Sequence, residues 1–449
     1  MKILLISPNT LTVPYPVYPI GLDYVAGAIE ARHEVRIADL NILDREALAA
    51  LLVDFPPDII GISIRNIDNT EAGGPLFFIE EYKELVSWLR RRSPAVMVGG
   101  GAGFTILPRE IFTALALDYG IAGEGERFAM LVEALDRRQP LSAIPGLISA
   151  SALDAALLPW AGAQVRHFGK TSSAHHHYYL ERGGMLNLQT KRGCSFRCSY
   201  CPYPHIEGNK HRLVPPDEVA RTALALQEAG AKYIFITDSA FNSDITHSLA
   251  VAAAFRKFAV SIPWGGFFAP TRLPPDYFSI MGAAGLKHVE FGTESLSATM
   301  LQNYCKPFRP MDVLTAHNQA LAAGLHVAHY FLLGGPGESA KTIDETLTAV
   351  DSLKKTVLFF FTGIRIYPHT ALYDIALSEN KISADTDLLQ PVFYESDGIN
   401  HAAIEKIIGQ KAADRINWIS GSGGAAAAAT VARMHTRGYT GPLWEYLIR

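Results

Sequence analysis

The chain has four cysteines, and three of them, Cys194, Cys198 and Cys201, fall in the run Lys-Arg-Gly-Cys-Ser-Phe-Arg-Cys-Ser-Tyr-Cys-Pro-Tyr. Thiolates separated by three- and two-residue gaps can ligate three irons of a cubane [4Fe–4S] cluster and leave the fourth iron open. An open coordination position is what separates chemistry from electron storage. Gly193 lets the loop turn tightly beneath the thiols. Lys191, Arg192 and Arg197 are placed to offset the charge of thiolate-ligated iron. The alternative is structural zinc completed by His205, although zinc usually takes four ligands in paired units.

Other strings carry polar groups at places where a chain would leave a strand. Asp238 and Ser239 follow an apolar run; the Asp238 carboxylate could accept from an ammonium group or cap a helix. Arg272 suits a carboxylate, and equally an exposed surface. In Gly292-Thr293-Glu294-Ser295, Glu294 can accept from two adjacent hydroxyls, with helix capping by Ser295 as the plainer role. Gly334 and Gly335 allow backbone to approach a ligand, and Arg365 and Tyr367 close a later apolar run. Nearer the start stand Ser63, the run Gly99, Gly100 and Gly101, and the string Gly123-Glu124-Gly125-Glu126. Small residues there would admit a bulky ligand. The polar loop Arg65–Asn69 fits either a ligand or solvent. Cys305 is expected to be a passive thiol, His175–His177 part of a solvated connector, and Gly421–Gly424 a flexible turn.

These groups need elements to hold them. Strands are expected at Lys2–Ser7, Val35–Asp39, Ile59–Ile64, Val96–Val98 and Tyr119–Ala122, with helices at Gly21–Arg32, Arg45–Asp54 and Ile79–Arg92. This alternation predicts a parallel, doubly wound α/β sheet over 1–140. A connector over 141–184 follows. A second βα series then runs over 185–380, with strands at Met185–Thr190, Lys232–Thr237, Ser261–Phe268, His288–Phe291, His326–Leu333 and Val357–Ile366. Six units predict an incomplete barrel, and 381–449 is expected to be a small helical cap. The candidate barrel ligands all fall at carboxyl ends of strands, the face where barrel sites form. The 449 residues are 49% hydrophobic and 19% charged with net charge −4, which gives no electrostatic case for nucleic acid or a membrane surface. No run approaches a membrane span, no solenoid repeat is visible, and the cysteine usage suits a reducing cytoplasm.

Cys194, Cys198, Tyr200 and Cys201 match the signature Cys-x-x-x-Cys-x-aromatic-Cys of the radical S-adenosylmethionine (SAM) superfamily, which the sequence closely resembles over about 185–379. The resemblance implies that SAM chelates the open iron and is cleaved reductively to a 5′-deoxyadenosyl radical. Tyr200 would lie near the adenine, Asp238 or Ser239 at the SAM amino group, and Arg272 at its carboxylate or ribose. Glu294 and Ser295 would meet the ribose, Gly334 and Gly335 would form the SAM-side turn, and Arg365 and Tyr367 would shape the adenine pocket. An electron donor such as flavodoxin or ferredoxin is implied.

A doubly wound domain in front of such a barrel resembles the cobalamin-binding subfamily. Ser63, Gly99–Gly101, Gly123 and Glu124 then fall at the corrin crevice. The subfamily's Asp-x-His-x-x-Gly motif reads Asp39-Leu40-Asn41-Ile42-Leu43-Asp44 here, so Asn41 fills the histidine slot. An amide is a poor cobalt ligand, which implies cobalamin held without a protein histidine. The expected activity is methylation of an unactivated carbon of a small-molecule substrate by way of methylcobalamin. Ring closure, rearrangement or another SAM-derived group transfer is the enzymatic alternative, and a cluster- and corrin-binding sensor the non-enzymatic one.

Overall fold

The computed structural model describes residues 1–449 apart from 13, 155, 161, 163, 165, 167–172 and 449, and apart from the side chains of 173–175 and 426. The front sheet comprises β1 (Lys2–Ser7), β2 (Glu34–Asp39), β3 (Ile59–Ser63), β4 (Val96–Gly100), β5 (Tyr119–Ile121) and β6 (Leu147–Ile148), in the order 2-1-3-4-5-6. Only β6 runs antiparallel, against β5. Side chains alternate between two covered faces. Ile3 and Leu5 meet Leu22, Ala26 and Ile29 of helix Ile20–Ile29. Leu4 and Ile6 share a core with Leu48, Leu52, Leu85 and Leu89 on the opposite helices.

The second sheet runs β7 (Met185–Leu188), β8 (Tyr233–Ile236), β9 (Trp264–Phe268), β10 (Leu286–Glu294), β11 (His326–Leu333), β12 (Thr356–Thr362) and β13 (Trp418–Ser420). All neighbours are parallel and in sequential order, the signature of a barrel wall built from βα units. Outward residues such as Leu186, Leu188, Ile234 and Ile236 pack on Val219, Ala223, Val251 and Phe255 from helices Pro216–Glu228 and Ile245–Lys257.

Three expectations need correction. The tail is more than a cap of helices: β13 extends the wall beyond six strands, and Trp444 joins a small core with Ala328 and Val357. Its Nε1 donates to Glu290 at 2.9 Å, and the Tyr330 hydroxyl donates to the same carboxylate at 2.9 Å. The single strand expected over Val357–Ile366 breaks at Gly363, after which Ile364–Arg365 pairs antiparallel with Phe393–Tyr394. The connector contains helix Ser173–Glu181, where His176 is buried, its Nε2 2.9 Å from the Tyr18 hydroxyl. His177 is exposed beside Glu181, and the His175 side chain and residues 170–172 lie outside the described residues.

Candidate functional site

After β7 the chain turns through Lys191–Arg192, which pairs antiparallel with Arg212–Leu213, and enters the cysteine loop. Gly193 makes this turn at φ +83; a Cβ there would stand 2.2 Å from the Lys210 carbonyl oxygen, so only glycine fits. Cys194 is buried, while Cys198 and Cys201 are half-buried. Burial raises all three thiol pKa values, that of Cys201 to about 12. Opposing burial, the nearby Phe196 and Tyr203 backbone amides favour the thiolates of Cys194 and Cys201, and the Lys306 ammonium donates to Cys198 Sγ at 3.5 Å. Three desolvated sulfurs on one loop, with a buried cation on Cys198, fit metal-bound thiolates.

Zinc fits less well. Among the described residues no three His, Cys, Asp or Glu groups converge on a single ion position. In a cubane each cysteine meets a different iron, so convergence on one point is not required. His205 stacks on His369, ring centroids 4.1 Å apart, instead of joining the thiols.

The flanking cations are arranged differently from expectation. Lys191 donates to Asp238 (2.9 Å) and to the carbonyls of Ala240 and Phe241. Arg192 pairs with Glu126 at 2.8 Å and Glu124 at 3.5 Å, while Arg197 is exposed. Lys306, absent from the expected site residues, is the cation bonded to a cysteine sulfur. It also donates to Glu294 (2.9 Å) and to the Tyr200 hydroxyl (3.0 Å), and the Tyr200 hydroxyl in turn donates to Glu294 at 2.8 Å. Its only sequence signal is a cation a short helix downstream of Glu294.

Several proposed SAM contacts take other partners. Asp238 is buried and accepts from the Thr190 amide (2.7 Å), the Thr190 hydroxyl (2.5 Å) and Lys191; it pins the base of the loop and has no edge left for an ammonium. Nor does it cap a helix, since Asp244 caps Ile245–Lys257. Ser239 is exposed at the strand end. Ser295 is buried against Thr346 (2.8 Å) and accepts from the Ser297 amide, so it shapes its own turn and is not the cap of the following helix. Arg365 is buried, its Nε 2.8 Å from Asp68 of the front unit, with its Nη atoms on the carbonyls of Ile366, Val392 and Leu388. It ties the two sheets together and, with Tyr367, lines the cavity beside Tyr200 and Cys201. Arg272 is 82% exposed and paired with Asp312. Gly334 turns at φ +94 and donates to Glu338, while Gly335 donates to the Tyr304 hydroxyl.

Two cavities meet at the cysteine loop, one of them lined by Cys201. One, of about 440 Å³, is lined by Tyr200, Cys201, Tyr203, Asn66, Phe361 and Tyr367. The other, of about 490 Å³, lies at the carboxyl ends of the front strands against Ser63, Gly99–Gly101, Gly123 and Glu124, with Gln189 and Arg192 on its barrel side. They share Arg65, Asn66, Ala102, Tyr203 and Ile206. The loop Arg65–Asn69 is therefore a partition between cavities, with Ile67 and Asp68 buried. Burial lowers the Arg65 guanidinium pKa. Gly101, at φ +108, brings this wall close: a Cβ would stand 2.7 Å from the Ile64 carbonyl oxygen. Glu124 bonds Arg212 and Arg192 across the crevice and accepts from the Trp160 amide. Asn41 lines neither cavity; its amide donates to the Tyr179 hydroxyl (3.2 Å), which donates to Asp39 (2.6 Å). The residue in the histidine slot is thus turned onto helix Ser173–Glu181. The open crevice, free of a side chain at that slot, fits a corrin taken up without this ligand.

Two family models match the chain: the radical SAM superfamily over residues 188–350 and the B12 binding domain over residues 6–132. Tryptophan 2-C-methyltransferase of Streptomyces laurentii is 26% identical, covering 82% of this chain and 73% of its own length. Cytidylyl-2-hydroxyethylphosphonate methyltransferase of Streptomyces wedmorensis is 25% identical, covering 78% and 76%. In fold, the chain resembles the radical SAM methyltransferase TsrM from Kitasatospora setae, solved with tryptophan and a SAM analogue (TM-score 0.87, 21% identity, 99% of this chain and 97% of that one). It also resembles the cobalamin-dependent radical enzyme OxsB with aqua-cobalamin bound (TM-score 0.73, 15% identity, 88% and 64%).

Proposed function

We propose, from the premise that this chain belongs to the cobalamin-binding radical SAM enzymes, that it methylates an unactivated carbon of a small-molecule substrate. The observation that carries this is the shared wall: the cavity at the cysteines and the crevice over Gly99–Gly101 meet at Arg65, Asn66, Ala102, Tyr203 and Ile206. Cys194, Cys198 and Cys201 would hold a cluster that would supply the electron for SAM cleavage, and the crevice would hold cobalamin as methyl carrier.

The chain's own residues then bind, orient and exclude water. Tyr200 and Glu294, locked by Lys306, offer acceptors beside the cluster. Tyr203, Tyr367 and Phe361 wall the cavity with aromatic surface, which keeps a reactive radical away from solvent. Ser63, Gly99–Gly101 and Gly123 leave backbone edges for the corrin, and Glu124 holds that crevice to the barrel. Ser239, Arg272 and Gly334 remain candidates for SAM contact. We also assign 1–140 to corrin binding and 185–380 to the barrel, with 141–184 as the connector. A low-potential flavodoxin or ferredoxin would serve as electron donor. A small-molecule rather than nucleic-acid substrate is supported by the net charge of −4 and the aromatic cavity. Cytoplasmic location is supported by the need to keep ligand thiols reduced; no helix among the described residues is long and apolar enough to cross a membrane.

The test is product analysis under strong reduction with SAM and candidate acceptors. Methyl transfer by a radical route yields both S-adenosylhomocysteine and 5′-deoxyadenosine, whereas cyclisation or rearrangement yields the second alone. Cys198→Ala should abolish reductive SAM cleavage to 5′-deoxyadenosine while corrin binding persists; in that variant S-adenosylhomocysteine alone would not count as retained consumption. Retained consumption by that variant would overturn the cluster assignment.

A further inference from the structure

Lys306 is a buried cation whose position serves a sulfur as much as a carboxylate. Helix Ala298–Asn303 ends with Cys305 in the left-handed region at φ +56, a conformation costly for a side-chain-bearing residue. That turn leaves the Cys305 thiol in solvent and sends Lys306 toward the cluster loop. Its ammonium has three donors, and the structure provides three acceptors: Glu294 at 2.9 Å, the Tyr200 hydroxyl at 3.0 Å and Cys198 Sγ at 3.5 Å. The rings of Tyr200 and Phe308 lie 5.4 and 5.7 Å from the ammonium. Among the described residues, Cys198 is the cysteine of the loop whose sulfur accepts from a cation. Arg197, beside Cys198 in sequence, is exposed, and Lys191 and Arg192 are committed to carboxylates and carbonyls.

We propose that Lys306 sets the reduction potential of the cluster by donating a charged hydrogen bond to the Cys198 sulfur. The inference rests on the assignment of a [4Fe–4S] cluster to Cys194, Cys198 and Cys201. Reduction adds one electron to the cluster, and that charge is shared onto the ligating sulfurs. A cation bonded to one of them stabilises the reduced form more than the oxidised form and moves the potential upward. Burial strengthens the effect, because little water is present to screen it. Glu294 opposes part of it, so the pair balances a donor against a carboxylate at one corner of the cluster. Lys306 is a positioning and tuning residue; no bond to substrate is made or broken by it.

The experiment is an equilibrium redox titration of the anaerobically reconstituted full-length protein without SAM, followed by electron paramagnetic resonance. Lys306→Met, with its iron content matched to the parent, should lower the reduction equilibrium at least tenfold, about 59 mV for one electron. Lys306→Arg should return most of that shift. A merely structural lysine, one that only holds Glu294 and Tyr200, would leave the potential where it was while SAM affinity fell. That result overturns the proposal. Should Lys306→Met fail to hold iron, the Lys306→Gln/Glu294→Gln double variant, compared with Glu294→Gln alone, carries the same criterion. A parent protein that takes up no four-iron cluster would instead overturn the assignment of the cysteines, and the proposal with it.

Discussion

Glu294 has φ +60 at the end of β10, where the register with β11 shifts between Gly292 and Glu294. A non-glycine residue in that region marks a position the surroundings over-determine, and here Tyr200 and Lys306 do so. Glu294→Ala should weaken SAM binding by ~1–3 kcal/mol in calorimetry, the range for hydrogen bonds to a charged group, with the cluster absorbance unchanged. Unaltered affinity would leave Glu294 a brace for Lys306 alone. Gly101→Ala would force a Cβ against the Ile64 carbonyl, and the expected outcome is loss of corrin uptake, read by absorbance after gel filtration. The bound cob(II) form should give a base-off resonance spectrum without nitrogen splitting, because Asn41 is engaged by Tyr179. A nitrogen triplet would mean that a nitrogen donor, from the protein or from the cofactor's own benzimidazole, ligates cobalt. The cysteine loop was legible in the sequence because its spacing is local to one turn of chain. The partners of Asp238 and Arg365 were not, because Thr190 and Asp68 lie 48 and 297 residues away. Lys306 carries no spacing signal, since its value comes from the left-handed turn at Cys305.

Helix Pro310–Ala322 is joined to β11 by a buried imidazole pair, His317 Nδ1 to His329 Nε2 at 3.0 Å, continued from His329 Nδ1 to the Thr293 hydroxyl at 2.7 Å. Burial lowers the pKa of His317 to about 4 and pushes that of His329 well below the ordinary imidazole value. Both rings are therefore neutral in the folded barrel. A folded value below the unfolded one gives stability that is present above about 6.5 and is lost as pH falls toward 4. Urea unfolding of the cluster-free protein should show this loss across that window, and His317→Gln should flatten the slope. Equal slopes for both proteins would remove the pair from the acid response. At this scale βα alternation announced both sheets, because strands covered on two faces read as continuous apolar runs. The tail was misjudged because β13 spans three residues, too short for a period to register, and Trp444 reaches Glu290 across 154 residues.

The two sheets are fastened by buried charge. Asp68 and Arg365 are 0% and 2% exposed, and the Glu124, Glu126, Arg192 and Arg212 cluster repeats the device at the crevice. Removing one member of a buried pair strands the other, typically at a cost of about 3–5 kcal/mol. Asp68→Ala should therefore lower the melting temperature and separate barrel unfolding from front-sheet unfolding in calorimetry. A single unshifted transition would show that the sheets are held by apolar contact alone. The crevice itself draws Gly99–Gly101 from one sheet and Gln189 and Arg192 from the other. During synthesis the front sheet, complete at Ile148, can fold while the barrel is still being made. At that moment the walls supplied by Asn187, Gln189, Arg192, Tyr203 and Phe267 do not yet exist. The order of translation thereby postpones cofactor capture: a nascent chain presents an open shelf, and a vitamin molecule settling early on it could still exchange until the barrel closes over it.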